Sequence, residues 1–361
     1  MKINKKERET VERLHEREPS YLGTARGKNT QDATVVGDSG RAAQWRVGIG
    51  MAMEAVEEEE EERRRVAAMG SYRGTVLAMR DAAEEILLLW AFRQPSARPP
   101  NAFARQSSLS LKIEACGHNL IVHQSPSSLG TPGVTGAVMW DSGVVLAKFL
   151  EHAVDSGSLD LQGKKAVELG SGCGLVGCIG ALLGAEVILT DLPDRLKLLR
   201  KNVEDNLSHG QIRGSAVVSE LTWGDDLYLE LIDPLPDFDN SHPKVSNVKF
   251  LDVALPAGPI SPRGLRAYEE YYLSSFVVFG SDVVYNEAAV DDLLITLRQL
   301  STNHTTIFIS GELRNDVVLE YFLEAAMKDF TVGQVEQSQW HPDYQNERIV
   351  IFVLVKKKFV A

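Results

Sequence analysis

The sequence predicts an α/β fold with a mostly parallel sheet that helices cover on both faces. Seven apolar segments with strand character follow one another, at 165–170, 186–191, 215–221, 276–282, 305–312, 330–336 and 348–357. Segments of helical spacing separate most of them, and strands that are apolar throughout are typical of a sheet buried on both faces. Little sequence separates the last two strands, which predicts an antiparallel pair at one edge of the sheet.

Helical apolar spacing lies between these strands, and the predicted helices span 173–183, 194–207, 286–300 and 315–328. Upstream, a β-hairpin is predicted from two β-rich stretches between Leu109 and Gln124 that flank "CGHN". A further helix follows in "DSGVVLAKFLEHA", where Asp141 and Ser142 are suited to cap its first turn. The hairpin therefore forms a β extension on the N-terminal side of the main sheet.

The first part of the chain differs from the rest in composition. Residues 1–105 are rich in Glu, Arg, Gly and Ala, and they include the run "EEEEEERRR" at 57–65. Such a charged segment is expected to be a poorly ordered leader, with one amphipathic helix at 75–92. We therefore place the folded domain at 106–361. Within it, 234–270 is rich in Pro, Gly, Ser and Asn and is expected to be a surface insertion between two strands.

Charge and cysteine usage limit the partners of the chain. The formal net charge is -12, which argues against nucleic acid as the main partner and is compatible with a basic protein. Cys116, Cys173 and Cys178 fit neither a disulfide framework nor a zinc site, so a reducing intracellular compartment is expected. The apolar runs fall short of the ~20 residues of a membrane span, and the charged N-terminus does not resemble a signal peptide. We expect a monomer in the cytoplasm, with the nucleus as the alternative location.

The stretch "AVELGSGCGLVG", residues 166–177, predicts a ligand-binding loop between a strand and a helix. Gly170 and Gly172 permit the close approach of a ligand, and the following helix N-terminus favours an anionic group. Asp191 ends the next strand, where a carboxylate can accept both hydroxyls of a ribose. Dinucleotides and S-adenosylmethionine both suit this geometry. Glu168, two residues before the first glycine, favours a ligand with an ammonium group and no pyrophosphate.

These residues and three further segments resemble a known enzyme family. "VELGSGCGLVG" with "VILTDLP" resembles the nucleotide-binding motifs of the seven-β-strand S-adenosylmethionine-dependent methyltransferases, which have a Rossmann-like sheet. "TGAVMWDSGVVLAKFL", "LTWGDDL" and "FGSDVVYNEAAVDDLL" are similar to the D-x-x-Y group of protein-lysine methyltransferases within them. The resemblance extends from about Leu109 to the C-terminus. Its known members act on chaperones, translation elongation factors and an AAA ATPase, so a cytosolic protein lysine is the implied acceptor.

The resemblance implies a role for each matching residue. Trp140 contacts the cofactor and Trp223 flanks its adenine, while Ser281 lies against its adenosine or methionine part. Asp282 would accept hydrogen bonds from the incoming amine, and Tyr285 would line the lysine channel. The loop residues Gly170, Ser171 and Gly172, together with Glu168 and Asp191, complete the implied cofactor site. The chemistry needs no metal.

Other interpretations remain open at the level of the sequence. Asp282 suits a helix N-cap and the two tryptophans suit a core, because both roles are common for these residue types. Val283 and Val284 stand where nucleobase methyltransferases carry two prolines, which disfavours a base as the acceptor. Histidine or arginine acceptors, an NAD-dependent oxidoreductase and a non-catalytic binding module are the alternatives. Cys173 is interpreted as a small filler of the loop. His341 is interpreted as part of a surface turn, with the substrate entrance as its second possible place.

Overall fold

The centre of the fold is one mixed β-sheet with helices on both faces. The computed structural model describes residues 65–66, 68–130, 136–208, 212–225 and 276–358, all within one compact unit that spans 58–361. The strands and helices of the described residues are, in chain order, β1 (Arg65–Val66), β2 (Val76–Ala78), α1 (Ala82–Arg93), β3 (Ser110–Ala115), β4 (His118–His123), α2 (Asp141–Asp155), β5 (Lys165–Leu169), α3 (Leu175–Leu182), β6 (Glu186–Asp191), α4 (Leu196–Leu207), β7 (Ser215–Glu220), β8 (Phe276–Ser281), α5 (Glu287–Gln299), β9 (Thr306–Glu312), α6 (Asp316–Asp329), β10 (Phe330–Val335) and β11 (Ile349–Lys356).

The strand order of this sheet is β1-β2-β10-β11-β9-β8-β5-β6-β7. From β7 to β9 all neighbours are parallel, and β11 runs antiparallel to both β9 and β10. The strand order reverses between β5 and β8, so their carboxyl ends flank the crevice where α/β sheets bind ligands. The predicted Rossmann-like sheet with antiparallel closing strands is confirmed.

Apolar residues fill both faces of the sheet. Side chains of α2, α3 and α4 form a core with one face, and side chains of α1, α5 and α6 form a second core with the other. β8 is buried over five of its six residues, which explains why its sequence is apolar without alternation. Among the described residues, no helix combines the length and apolarity needed to cross a membrane.

Two strands that the sequence did not predict extend the sheet beyond the expected seven. β2 pairs antiparallel with β10, and β1 pairs with β2. The helix expected at 75–92 begins only at Ala82, because Asp81 caps it by accepting a hydrogen bond from the Glu84 backbone N–H at 3.0 Å. Residues 76–78 pair instead with the open edge of the sheet.

Residues 69–104 also pack into the domain, so the boundary expected at 105 falls too late. Tyr72 is fully buried among aromatic rings of the core. Glu85 and Arg93 on α1 are buried with Gln334 of β10 between them. The Gln334 amide, oriented to satisfy both groups, donates to Glu85 at 3.0 Å and accepts from Arg93 at 2.6 Å. A buried polar group is tolerated when it is hydrogen-bonded, so this cluster fixes α1 against the sheet. Residues 1–64 and the expected insertion at 234–270 lie outside the described residues.

The predicted hairpin is confirmed as a separate two-stranded sheet, β3 and β4. Cys116 and Gly117 form its turn with φ of 52° and 73°, the left-handed conformation typical of tight hairpin turns. Asn202 of α4 is fully buried and connects this hairpin to the loop after β5. Its side chain accepts from the His123 N–H at 2.8 Å and donates to the carbonyl of Cys173 at 2.9 Å.

Asp141 has a different role from the predicted cap. α2 begins at this residue and Trp140 occupies the cap position. The buried Asp141 carboxylate accepts hydrogen bonds from the backbone N–H groups of residues 102–104 at 2.6–3.0 Å. Asn346 donates to the same carboxylate at 3.1 Å. Asp141 therefore connects the start of α2 to the segment before the hairpin, and Trp140 next to it is held in place.

Candidate active site

One cavity lies at the carboxyl ends of β5, β6 and β8, where the strand order reverses. Its volume is about 310 Å³, within the size range of small-molecule sites. The ten residues predicted for the site all line this cavity. They are Trp140, Glu168, Gly170, Ser171, Gly172, Asp191, Trp223, Ser281, Asp282 and Tyr285. The structure thus brings the predicted residues together from five segments of the chain, and their individual roles stay predictions.

The glycine loop forms the floor of this cavity. Gly170 and Gly172 have φ of 60° and 52°, so both adopt the left-handed conformation that other residues rarely enter. A β-carbon on Gly172 would lie 3.2 Å from the carbonyl oxygen of Gly136, and one on Gly170 would lie 3.1 Å from the Trp223 ring. The loop therefore needs glycine for its backbone angles and for its close neighbours.

Glu168 is buried behind the loop with 1% of its surface exposed. Its carboxylate accepts a hydrogen bond from the Gly177 N–H in the first turn of α3 at 3.0 Å. Burial raises the pKa of Glu168 to about 8, and hydrogen bonds from Ser171 and Gly177 offset part of that effect. Glu168 thus connects β5 to the helix that follows it.

Asp191 at the end of β6 combines two backbone contacts with access to the cavity. Its carboxylate accepts from the N–H of Gly172 at 2.7 Å and from the N–H of Leu192 at 2.8 Å. Burial raises the pKa of Asp191 above its ordinary value, and these two N–H groups act in the opposite direction. A carboxylate has about four acceptor positions, so both oxygens retain capacity for ribose hydroxyls.

Trp223 forms one wall of the cavity beside the loop. Its indole lies against Gly170, and Val283 also lies close to the β-carbon position of this glycine. The following turn is fixed by a hydrogen bond of 3.0 Å from the Gly224 N–H to the hydroxyl of Thr296 on α5. An indole beside the loop gives adenine an aromatic surface on which to stack.

Asp282 does not cap the helix that follows it. Asn286 has that role, because its side chain accepts from the Ala288 N–H at 3.0 Å. Asp282 has a φ of 60°, uncommon for a residue with a side chain, and its N–H donates to the carbonyl of Ser310 at 2.8 Å. This backbone places the carboxylate in the cavity. Tyr285 lies at the rim with 42% of its surface exposed.

Arg314 is a cavity residue that sequence reasoning missed. A single guanidinium nitrogen, Nη2, donates to both carboxylate oxygens of Asp282, and the guanidinium lies 4.5 Å from the centre of the Trp140 ring. It follows β9 by two residues, so its place at the carboxyl edge of the sheet was the available signal. Gly136 and Arg195 also line the cavity without having been predicted.

Two residues considered at the sequence level have no catalytic geometry. His341 lies outside the cavity lining and packs 5.9 Å from the ring of His152 on α2, in agreement with the surface-turn interpretation. Cys173 is buried in the loop, and burial raises the pKa of its thiol to about 12. A thiol that stays protonated is a poor nucleophile, so the interpretation of Cys173 as a filler agrees with its environment.

The lining of the cavity fits S-adenosylmethionine in its chemistry. Trp223 offers a stacking surface for the adenine and Asp191 offers acceptors for the ribose. The glycine loop leaves room between them, because no β-carbon projects from Gly170 or Gly172. Trp140 and Asp282 lie at the same edge of the sheet, where an aromatic face and a carboxylate suit a cationic centre.

Comparison with known proteins decides the family. A family model described as lysine methyltransferase matches residues 119–238. Protein N-lysine methyltransferase METTL21A of Danio rerio is 32% identical over 257 residues, which are 71% of this chain and 92% of that protein. The chain belongs to the lysine methyltransferase family. METTL21A of Mus musculus is 34% identical, covering 60% of this chain and 77% of that protein. EEF1A lysine methyltransferase 3 of Mus musculus is 30% identical, covering 63% and 79%.

This membership confirms the predicted enzyme class. As a lysine methyltransferase, this protein uses S-adenosylmethionine as its methyl donor. The cavity where the strand order reverses has the groups to hold this cofactor. The membership also decides against the NAD-dependent oxidoreductase that the glycine loop alone left open.

Proposed function

We propose that this methyltransferase modifies a lysine of a cytosolic protein, with Asp282 as the group that receives the amine. The observation that carries the proposal is the position of the Asp282 carboxylate. It lies in the same cavity as the glycine loop, Asp191 and Trp140, and the exposed Tyr285 marks the open side. A lysine side chain that enters past Tyr285 would bring its amine to Asp282.

The transfer itself requires little beyond a correctly placed neutral amine. S-adenosylmethionine supplies an electrophilic methyl group: the amine lone pair forms the new N–C bond while the S–C bonding pair stays on sulfur. Free lysine has a pKa of ~10.4, so the amine must lose its proton before it can react. Asp282 accepts a hydrogen bond from the neutral amine and aims its lone pair, and the partly enclosed cavity limits the access of water.

The kind of acceptor protein is inferred from the relatives and from charge. One relative is named for lysine methylation of EEF1A, and others are named protein N-lysine methyltransferases. The net charge of -12 suits an acceptor with a basic surface around its lysine. We expect an abundant cytosolic protein such as a chaperone, a translation elongation factor or an AAA ATPase.

Labelled cofactor tests this function. The full chain is incubated with methyl-tritiated S-adenosylmethionine and a cytosolic extract, and label is then followed into protein, RNA and small molecules. Label should enter one or a few proteins, and hydrolysis should release it as methylated lysine. Label in RNA or small molecules, or in protein histidine or arginine, would overturn the assignment of the acceptor.

Asp282→Asn tests the role of the carboxylate. Asparagine tolerates the left-handed backbone, so the variant removes the charge with little strain. Transfer should fall about 100-fold, while the dissociation constant of S-adenosylhomocysteine should change by about twofold at most. Asp343→Asn, at an exposed turn outside the cavity lining, is the matched control and should leave transfer unchanged. Equal loss of transfer and of cofactor binding in Asp282→Asn would mean that the residue holds the cofactor or the fold.

A further inference from the structure

Arg314 contacts the two groups that would surround the reacting amine. Its guanidinium pairs with both oxygens of Asp282 and stacks 4.5 Å from the centre of the Trp140 ring. The Arg314 Nε lies 3.5 Å from Glu312, whose carboxylate is also held by Arg348 at 2.6 Å. The side chain of Asp282 is 10% exposed and that of Arg314 is 33% exposed. The cation is therefore anchored on several sides, and it faces the cavity.

An unpaired carboxylate at this position would oppose the reaction. A lysine arrives as an ammonium ion, and a nearby carboxylate stabilises the charged form of an amine. The ammonium would then bind tightly and keep the proton that it has to lose. A second cation on the same carboxylate reduces this attraction and repels the ammonium. The neutral amine still donates an N–H to a carboxylate oxygen, because each oxygen has two acceptor positions.

We propose that Arg314 is a positioning residue that offsets the charge of Asp282, so that the site holds the acceptor lysine as a neutral amine. The proton leaves to water before transfer, and no other co-reactant is needed. The contact of Nη2 with both oxygens also holds the Asp282 carboxylate, which sits on a left-handed backbone. This inference rests on the proposed function, since it requires Asp282 to receive the amine.

The other charged groups of the cavity are the same in the native protein and in its Arg314 variants, so they contribute equally to the charge around the amine in both. The titratable side chains that also line the cavity are Glu168, Cys173, Asp191, Arg195, Tyr285 and Asp292. Behind Arg314, the Glu312 and Arg348 side chains form a pair of opposite charges. Loss of Arg314 therefore removes the cation in direct contact with Asp282 and leaves these groups in place.

The pH dependence of transfer tests the inference. The acceptor is the protein that takes up most label in the extract experiment, purified and used at saturating concentration with the full-length enzyme. In Arg314→Gln, the pH at which kcat reaches half its maximum should rise, because the unpaired Asp282 carboxylate then stabilises the lysine ammonium. The rise should be about one unit, since a third of Arg314 is exposed and solvent weakens its field. Near neutral pH, kcat should fall about tenfold, and it should recover at higher pH.

Three further measurements separate this role from others. Arg314→Lys keeps the charge and should keep the native pH midpoint even if kcat is lower. Arg298→Gln is the matched control. Arg298 lies in the last turn of α5 and forms an exposed ion pair with Asp329 of α6, so its loss should leave kcat and the pH midpoint as in the native enzyme. Calorimetry should give the same dissociation constant for S-adenosylhomocysteine in the native enzyme and in Arg314→Gln, within about twofold.

Each contrary outcome identifies a different error. A lower KM with an unchanged pH midpoint would make Arg314 a competitor that lysine displaces, and it would overturn the inference. A loss of kcat that is equal at every pH, or weaker cofactor binding, would reduce Arg314 to a structural residue and would also overturn it. If the proposed function is wrong, the extract experiment or Asp282→Asn fails, whatever Arg314 does.

Discussion

Glu168→Gln should make the fold more resistant to alkaline pH. The folded protein holds the Glu168 proton up to about pH 8, whereas an ordinary glutamate releases it near pH 4.5. Between these values the folded state binds a proton that the unfolded state lacks, so the free energy of unfolding falls as pH rises. The stabilising contribution of protonated Glu168 is complete below the unfolded pKa and is lost above the folded pKa. Glutamine cannot ionise, and its oxygen can still accept from the Gly177 N–H.

The size of the effect follows from that pKa difference. At about 1.4 kcal/mol per pH unit, raising the pH from about 6 to above 8 should cost the native protein about 3 kcal/mol that the glutamine variant keeps. At the entropy of unfolding typical of a protein with roughly 240 ordered residues, this corresponds to about 5 °C in thermal midpoint. Other groups titrate in both proteins, so their contributions cancel in the difference between the native protein and the variant.

Thermal unfolding near pH 6 and near pH 8.5, followed by circular dichroism, measures this difference. Between the lower and the higher pH, the midpoint of the native protein should fall by about 5 °C more than that of Glu168→Gln. Glu114→Gln, an exposed position on the hairpin, is the matched control and should follow the native protein at both pH values. Midpoint curves of Glu168→Gln and the native protein that stay parallel would refute the reasoning, because Glu168 would then be ionised in the fold.

Two further predictions concern the wall of the cavity and the start of α2. Trp223→Ala should weaken binding of S-adenosylhomocysteine about tenfold in calorimetry, because base–aromatic stacking contributes about 1–3 kcal/mol; unchanged binding would place the adenine elsewhere. Asp141→Ala should lower the free energy of unfolding by about 3 kcal/mol in urea denaturation, because backbone N–H groups of residues 102–104 lose their acceptor. Asp141→Asn should lose less, since one oxygen remains, and an Asp141→Ala loss below about 1 kcal/mol would show that water replaces the contacts.

The cofactor half of the site could be predicted from the sequence because its logic is local. The glycine loop joins a strand to the next helix, and Asp191 ends the following parallel strand. Carboxyl ends of parallel strands meet at one edge of a sheet, so the pattern of strands and helices already placed these residues together. The same argument placed Asp282 at the end of β8.

The contacts missed by the sequence reasoning join segments that are far apart in the chain. The position of β2 depends on the open edge of β10, and α1 is held through Gln334. No local pattern shows that edge, so residues 69–104 resembled a leader. The acid at the start of α2 resembled a helix cap, because its partners at 102–104 and Asn346 become neighbours only after folding.

By itself, the sequence determined the fold class, the cofactor loop and the carboxylate at the end of β8, because each depends on short-range periodicity and on the order of strands. The tertiary structure alone decided which cation faces that carboxylate. Arg314 follows a different strand, and only the packing of β8 beside β9 brings it to Asp282 and Trp140. The physical reason is that charge interactions depend on distance in space, which sequence separation does not report.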